Sequence, residues 1–401
     1  MAFTFRRQPF RAFYFFTNLT LLLFIRLPFW SLLYVLPSLR PRKTWSWKRS
    51  IIVQALRAFI DTLYATALPA APVPDESTAR KDGLVWVDAT PELVVGEVKQ
   101  FAETNAVEAV KVAGYWYGAR DADGQVGQKA TPGEKVVYHL HGGGFVIGTA
   151  HPSGLTRPAF DGFIEHFPSH PRVFALEYRL SSTSPFTPSN PFPAALIDAI
   201  AGYNYLVTTL GFAPSDVLVS GDSAGGLLAI WLARYLATAQ LEKLPQAGAL
   251  LLHSPTVDFA NTHVGPNSSM VRNARTDYVH SFIDTKYTYR ALLGTLPESD
   301  AVRTWLTPAS KSLPPSSLLG AFSGFPKTAI VVGGAEQTLD GVVAFRGLLE
   351  TDVGAQNVWY VEARDATHDF LTLGWHEPER TEVFREVGGW LGKEVWGEGE
   401  A

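Results

Sequence analysis

The chain has 401 residues, 46% hydrophobic and 18% charged, with 11 Trp, 25 Phe and 14 Tyr; this leaves room for one large α/β domain with accessory segments and excludes a disordered polymer. It contains no cysteine, so disulfides, thiolate metal sites and cysteine nucleophiles are excluded. The net charge of −4 conceals an asymmetry: residues 1–50 carry nine Lys or Arg and no acid, leaving 25 basic against 38 acidic residues, or −13, for the remainder.

Between Arg11 and Arg40 lies a run of 28 residues broken by a single charge, Arg26, and containing Pro28 and Pro37. About 20 apolar residues suffice to cross a bilayer, although a central Arg costs roughly 2.5–3.5 kcal/mol in a span. A tilted span and an interfacial helix or hairpin are both compatible with it. The aromatics Phe13, Tyr14, Phe15, Phe16, Phe29, Trp30 and Tyr34, followed by Trp45 and Trp47 among basic residues, suit the headgroup boundary. Residues 1–50 therefore read as a membrane anchor whose partner is a lipid surface, not nucleic acid. A cleaved signal fits less well, because the run is long and no small-x-small site follows. Five basic residues after the run against three before it favour a cytosolic body, while Asn267-Ser268-Ser269 would place the body in a lumen if glycosylated.

Residues 51–69 space their apolar positions as a helix, and 70–85 read as an Ala/Pro-rich linker, the two together forming a segment expected to contribute to a cap. From residue 86 to 401 short β-rich runs at 106–117, 135–141, 172–178, 216–220, 248–253, 327–333 and 357–362 alternate with helical stretches at 193–209, 224–240, 340–351 and 379–395. Such alternation predicts an α/β domain with a mostly parallel sheet covered on both faces. Residues 256–315, with a helical patch near 278–293, break the pattern and read as an insertion over the site.

Two glycine motifs follow β-runs. Gly221-Asp222-Ser223-Ala224-Gly225 sits between VLVS and a helix-competent LLAIWLARYLA, the strand-turn-helix context in which G-x-S-x-G presents a serine nucleophile. His141-Gly142-Gly143-Gly144-Phe145 ends the run 135–141. A phosphate loop would require G-K-[ST] or G-x-G-x-x-G, and neither is present, so this motif reads as an oxyanion hole. Its donors would be the N–H groups of Gly143 and Gly144 with that of Ala224, and His141 would shape the loop.

Ten histidines are available, and chain order selects among them. A base after the last strand points to His368, with His376 read as solvated near the last helix. An acid after the preceding strand leaves Glu336 and Asp340. Glu336 is the better placed, and Asp340 reads as a cap of the next helix or a brace of the acid loop.

These residues resemble the hormone-sensitive-lipase-like branch of α/β-hydrolases, the family IV or fold-3 esterases, over about residues 85–395. The likeness rests on HGGGF at 141, on EYRLSSTSPFTPSNPFPAALIDA at 177–199, on GDSAGG at 221 and on THDF at 367, in that order. It implies an α/β-hydrolase fold with a helical cap, a Ser–His–carboxylate site with no cofactor or metal, and short- to medium-chain acyl or acetyl esters, of apolar alcohols, as substrates. The family's usual D-P-L-x-D appears here as Glu336-Gln337-Thr338-Leu339-Asp340, with Glu at the acid position. The basic aromatic N-terminus is more loosely similar to membrane-attached steryl acetyl hydrolases and arylacetamide deacetylases, which implies an endoplasmic-reticulum membrane. A transacylase would use the same residues, and a non-catalytic ligand-binding relative would be expected to lack one of them.

Overall fold

The computed structural model describes residues 2–397. Eight strands, β1 (Leu84–Val87), β2 (Val112–Tyr117), β3 (Val136–Leu140), β4 (Arg172–Glu177), β5 (Val217–Asp222), β6 (Ala249–His253), β7 (Lys327–Gly333) and β8 (Val358–Ala363), form one sheet. Their spatial order is β1-β2-β4-β3-β5-β6-β7-β8. Strand β2 is antiparallel to both its neighbours, and every pair from β4 to β8 is parallel.

The parallel strands read as continuous apolar runs because both faces are buried. On one face Val136, Tyr138, Leu140, Val219, Leu250 and Ile330 join a core closed by helices α3 (Gly96–Thr104), α5 (Ala194–Asn204), α6 (Ala224–Ala239) and α7 (Leu339–Val353). On the other face the alternate residues Val137, Val173, Leu218, Leu251 and Val331 meet Phe160 and Phe163 of α4 (Arg157–His166) and Phe384 and Val387 of α8 (Glu379–Trp390). Full burial of a single Leu or Phe stabilises by roughly 1.5–3 kcal/mol, so the period-two alternation within each strand holds two helical layers at once.

The chain thus has the expected α/β-hydrolase architecture, with differences in detail. Strand β1 begins where a linker was expected, and residues 106–111 lie outside β2. Helices α3 and α4, of nine and ten residues, lie outside the helical stretches expected from the sequence. The connection between β6 and β7 contains residues 256–315 and carries the short helices Ser269–Arg272, His280–Asp284, Tyr287–Leu293 and Asp300–Leu306.

At the N-terminus, a continuous helix α1 (Phe10–Leu33) contains one π-helical turn, Leu22–Arg26, just before Pro28 removes a backbone donor. It is followed by α2 (Trp47–Ala65), capped by the Ser46 hydroxyl, which accepts the Arg49 N–H at 3.1 Å. A boundary at residue 50 therefore falls inside α2, and the residues before it are tied to the sheet domain. The Trp45 ring is buried and donates its indole N–H to the Asp365 carbonyl at 2.8 Å. Arg42 donates to the Gly334 carbonyl and to Asp365 Oδ1, both at 3.0 Å. Arg49 grips both Glu379 oxygens at 2.7 Å and the Glu377 carbonyl at 2.8 Å. Because that pair is largely buried, Arg49→Ala is expected to cost about 2–3 kcal/mol. A thermal melt checks this; an unchanged Tm would mean that the pair contributes nothing net.

Candidate active site

The register brings the carboxyl ends of β3, β5 and β6 to one edge, with Leu140 opposite Gly221 and Asp222 opposite His253. Open α/β sheets place their sites at this edge. Ser223 stands there between β5 and α6 with φ 51° and ψ −114°. Such a backbone costs a non-glycine residue about 1–3 kcal/mol, which the fixed strand and helix on either side impose. The neighbouring glycines are dictated by space: a Cβ on Gly221 would overlap the Gly225 carbonyl, and one on Gly225 would overlap the Leu140 carbonyl.

Asp222 ties this turn to the glycine loop. Its carboxylate accepts from His139 Nε2 at 2.9 Å and from the Gly142 N–H at 3.0 Å. Burial opposes its charge, but His139 bound to it, with His253 and His141 nearby, holds its carboxyl below the ordinary carboxylate range. His141 stacks on Tyr178, with centroids 4.2 Å apart, and donates Nδ1–H to the Gly142 carbonyl at 2.8 Å. Burial pushes its pKa down, so the ring stays neutral and shapes the loop. Gly143 and Gly144 have φ 110° and 63°, a left-handed backbone that favours glycine. Among the described residues the N–H groups of Gly143, Gly144 and Ala224 have no acceptor, that of Ala224 because it opens a helix.

Three side chains form a line. His368, in the loop after β8, has Nε2 2.9 Å from Ser223 Oγ and Nδ1 2.7 Å from Glu336 Oε2. Glu336 is fully buried after β7. Its Oε2 also accepts from Thr338 Oγ1 at 2.7 Å, and its Oε1 accepts from Ser254 Oγ at 3.1 Å and from the Gly333 N–H. Ser223 Oγ is also 3.0 Å from Thr256 Oγ1.

Two expectations are corrected. Asp340 does not cap its own helix: its carboxylate accepts the Ser269 N–H at 2.8 Å and pairs with Arg272 at 3.1 Å, fastening a short helix of the β6–β7 connection instead. His376 is not solvated. It is fully buried, and its Nε2 accepts the Thr367 N–H at 3.1 Å, bracing the loop that carries His368. Both partners are distant in sequence or hidden by the turn, so local composition gave no sign of them.

Two further buried carboxylates lie by the base and acid loops, Asp369 within the THDF motif and Asp277, which no motif marks. Asp369 Oδ2 lies 3.3 Å from His368 Nε2. Asp277 accepts the Gln337 N–H at 2.6 Å on the acid loop, and burial pushes its carboxyl up to about 7. Burial opposes a charge on His368, but Asp369, then Glu336 and Asp277, outweigh it and carry the ring up to about 10. A base must be deprotonated to act, so a raised pKa moves the rising limb of kcat/KM against pH upward. Burial pushes the Asp369 carboxyl itself well up, against the pull of His368, and Asp369→Asn, which removes the largest of these acidic neighbours, is expected to move that limb to lower pH. A pH–rate profile with an unmoved limb would reject this coupling.

A family model described as the alpha/beta hydrolase fold matches residues 137–372. The chain is similar to an esterase of Acinetobacter venetianus, with 28% identity over 254 residues, 59% of this chain and 73% of that protein. It is 29% identical over 261 residues to esterase LipU of Mycobacterium tuberculosis, covering 64% of this chain and 77% of that protein. Among solved structures, an esterase of the bacterial hormone-sensitive lipase family aligns with a TM-score of 0.52 and 22% identity, over 92% of this chain and 98% of that one. A hormone-sensitive lipase from a metagenome library aligns with a TM-score of 0.53 and 20% identity, over 85% and 97%. At these identities the structural likeness is one of fold.

Proposed function

This chain belongs to the alpha/beta hydrolase fold family, and we propose that it falls in the hormone-sensitive-lipase-like branch and hydrolyses carboxylic esters through an acyl-enzyme on Ser223. The observation that carries this reading is the unbroken contact from Ser223 Oγ through the His368 ring to Glu336, at 2.9 and 2.7 Å. His368 Nε2 takes the Ser223 proton as Oγ attacks the ester carbonyl. The oxyanion so formed is received by the N–H groups of Gly143, Gly144 and Ala224, fixed beforehand by the Asp222 clamp. The imidazolium, stabilised at Nδ1 by Glu336, returns its proton to the departing alcohol. Water then releases the acid by the same route.

A short acyl group on an apolar alcohol fits the surroundings. A small cavity reaches Thr256, whose Oγ1 is 3.0 Å from Ser223 Oγ, and is lined by apolar Val257, Met270 and Ile283 together with polar Asp258, Asn261, His263, Gln337 and Thr338; it is the candidate acyl pocket. On the other side of the glycine loop, Phe282 and Thr288 approach Gly144, and Val146 joins a cluster with Tyr287, Tyr64 and Phe3. Purified protein assayed on p-nitrophenyl esters of increasing acyl length and on sterol acetates tests both halves. Absence of hydrolysis on every ester would overturn the activity, and a preference for long acyl chains would overturn the short-acyl reading. The helical β6–β7 connection and α2, which bound this space, form the proposed cap. The apolar α1, none of whose residues is fully buried, supports attachment of the enzyme to a membrane, where apolar esters accumulate.

A further inference from the structure

We propose that α1 lies in the plane of an anionic bilayer surface, with both of its ends on the side of the catalytic body, and does not cross the membrane. The proposal rests on the membrane attachment proposed above and specifies its geometry. Both ends of α1 are tied to one helix. Before it, the Phe3 N–H donates to the Tyr64 carbonyl at 2.6 Å and the Phe5 N–H to the Ala65 carbonyl at 2.9 Å, at the C-terminal end of α2. After it, the Trp47 indole N–H at the N-terminal end of α2 donates to the Ser31 carbonyl at 2.8 Å. At 1.5 Å per residue α1 is about 36 Å long and α2 about 28 Å. The two helices therefore run antiparallel, side by side.

Helix α2 in turn is bonded to the body along its length. Arg49 holds Glu379, Gln54 donates to the Arg275 carbonyl at 2.7 Å, Arg57 donates to the Ala274 carbonyl, and Asp61 accepts from Ser281 Oγ at 2.7 Å. If α1 spanned the hydrocarbon, α2 and these groups of the sheet domain would be carried into it, leaving charged and carbonyl groups in a medium without water.

The faces of α1 agree with an in-plane position. Phe13, Phe16, Phe24, Phe29 and Leu32 are between 58% and 78% exposed and look outward, whereas Arg26 is half-buried, away from that row. Exposed Arg7, Arg11, Lys43 and Lys48 flank the helix, and residues 1–50 contain no acid. This charge selects an anionic lipid surface as the occupant.

The chain contains no cysteine, so single cysteines can report which side of the bilayer each end occupies. Gln8→Cys and Ser38→Cys, both at exposed positions, are made in the full-length protein, which is then bound to the outside of sealed phosphatidylcholine vesicles containing phosphatidylserine. The protein is expected to float with these vesicles, and both cysteines should react fully with a membrane-impermeant maleimide before detergent is added. Phe16→Asp combined with Phe24→Asp should reduce flotation about tenfold or more while leaving hydrolysis of a soluble ester intact. Protection of either cysteine until detergent is added would show a spanning helix and overturn the in-plane geometry while leaving attachment standing. Failure to float, including a soluble dimer that covers the apolar face, would overturn the attachment and the proposal with it.

Discussion

Ser223→Ala is expected to abolish ester hydrolysis, with kcat falling on the order of 10⁴-fold or more, because the members of such a line act as a unit. The hydroxyl nearest the lost one, Thr256 Oγ1, sits 3.0 Å from that Oγ and is held by the chain that follows β6. It is not on the turn that opens α6 and so cannot point its oxygen at a carbonyl held by the Gly143, Gly144 and Ala224 N–H groups. Labelling by an organophosphonate probe should vanish with the rate. The fold should survive, since alanine occupies the same strained φ of 51° and loses only hydroxyl contacts. Retention of more than a tenth of the wild-type rate by a folded protein would rule out nucleophilic catalysis by this serine.

The parts of the molecule legible in the sequence are those whose geometry is written locally. A strand buried on both faces is mostly apolar along its length, so β3, β5, β6 and β7 stand out within a residue or two of their bounds. The turn at Ser223 is partly local: Gly221 is required by the Gly225 carbonyl within the motif, whereas Gly225 is required by the Leu140 carbonyl at the end of β3. What stayed hidden are pairings across long separations. Asp340 answers to Ser269 and Arg272 in the β6–β7 connection, and Ser254 joins the acid and base loops by donating to Glu336 and accepting the Asp369 N–H at 3.1 Å. Asp369 is visible in sequence as part of THDF, but the motif gave it no role. Its weight comes from burial beside Nε2, a property of the folded loop. The N-terminal segment was legible as apolar and basic, but its path was not, because that depends on bonds such as Trp45 to Asp365, 320 residues apart.

Glu336→Gln is expected to lower kcat by roughly 10³–10⁴-fold, the scale seen when the orienting carboxylate of such a line becomes an amide. The buried carboxylate receives donors at both oxygens: Ser254 and the Gly333 N–H at Oε1, Thr338 and His368 Nδ1–H at Oε2. An amide offers only one acceptor. If its oxygen satisfies Gly333 and Ser254, its NH₂ faces His368 Nδ1, and the ring must then accept there and carry its proton on Nε2. A ring in that tautomer cannot take the Ser223 proton. If the amide turns the other way, its NH₂ faces the Gly333 N–H and leaves a buried donor unpaired, which costs about 1–3 kcal/mol. The first arrangement is therefore favoured, and the loss appears in kcat. Asp340→Asn should behave oppositely: it weakens a partly exposed pair with Arg272, worth at most about 1 kcal/mol, and leaves kcat within a few-fold. Steady-state rates on a p-nitrophenyl ester together with thermal melts separate the two cases. A large kcat loss in Asp340→Asn with a near-normal Glu336→Gln would transfer the role of acid from Glu336 to Asp340.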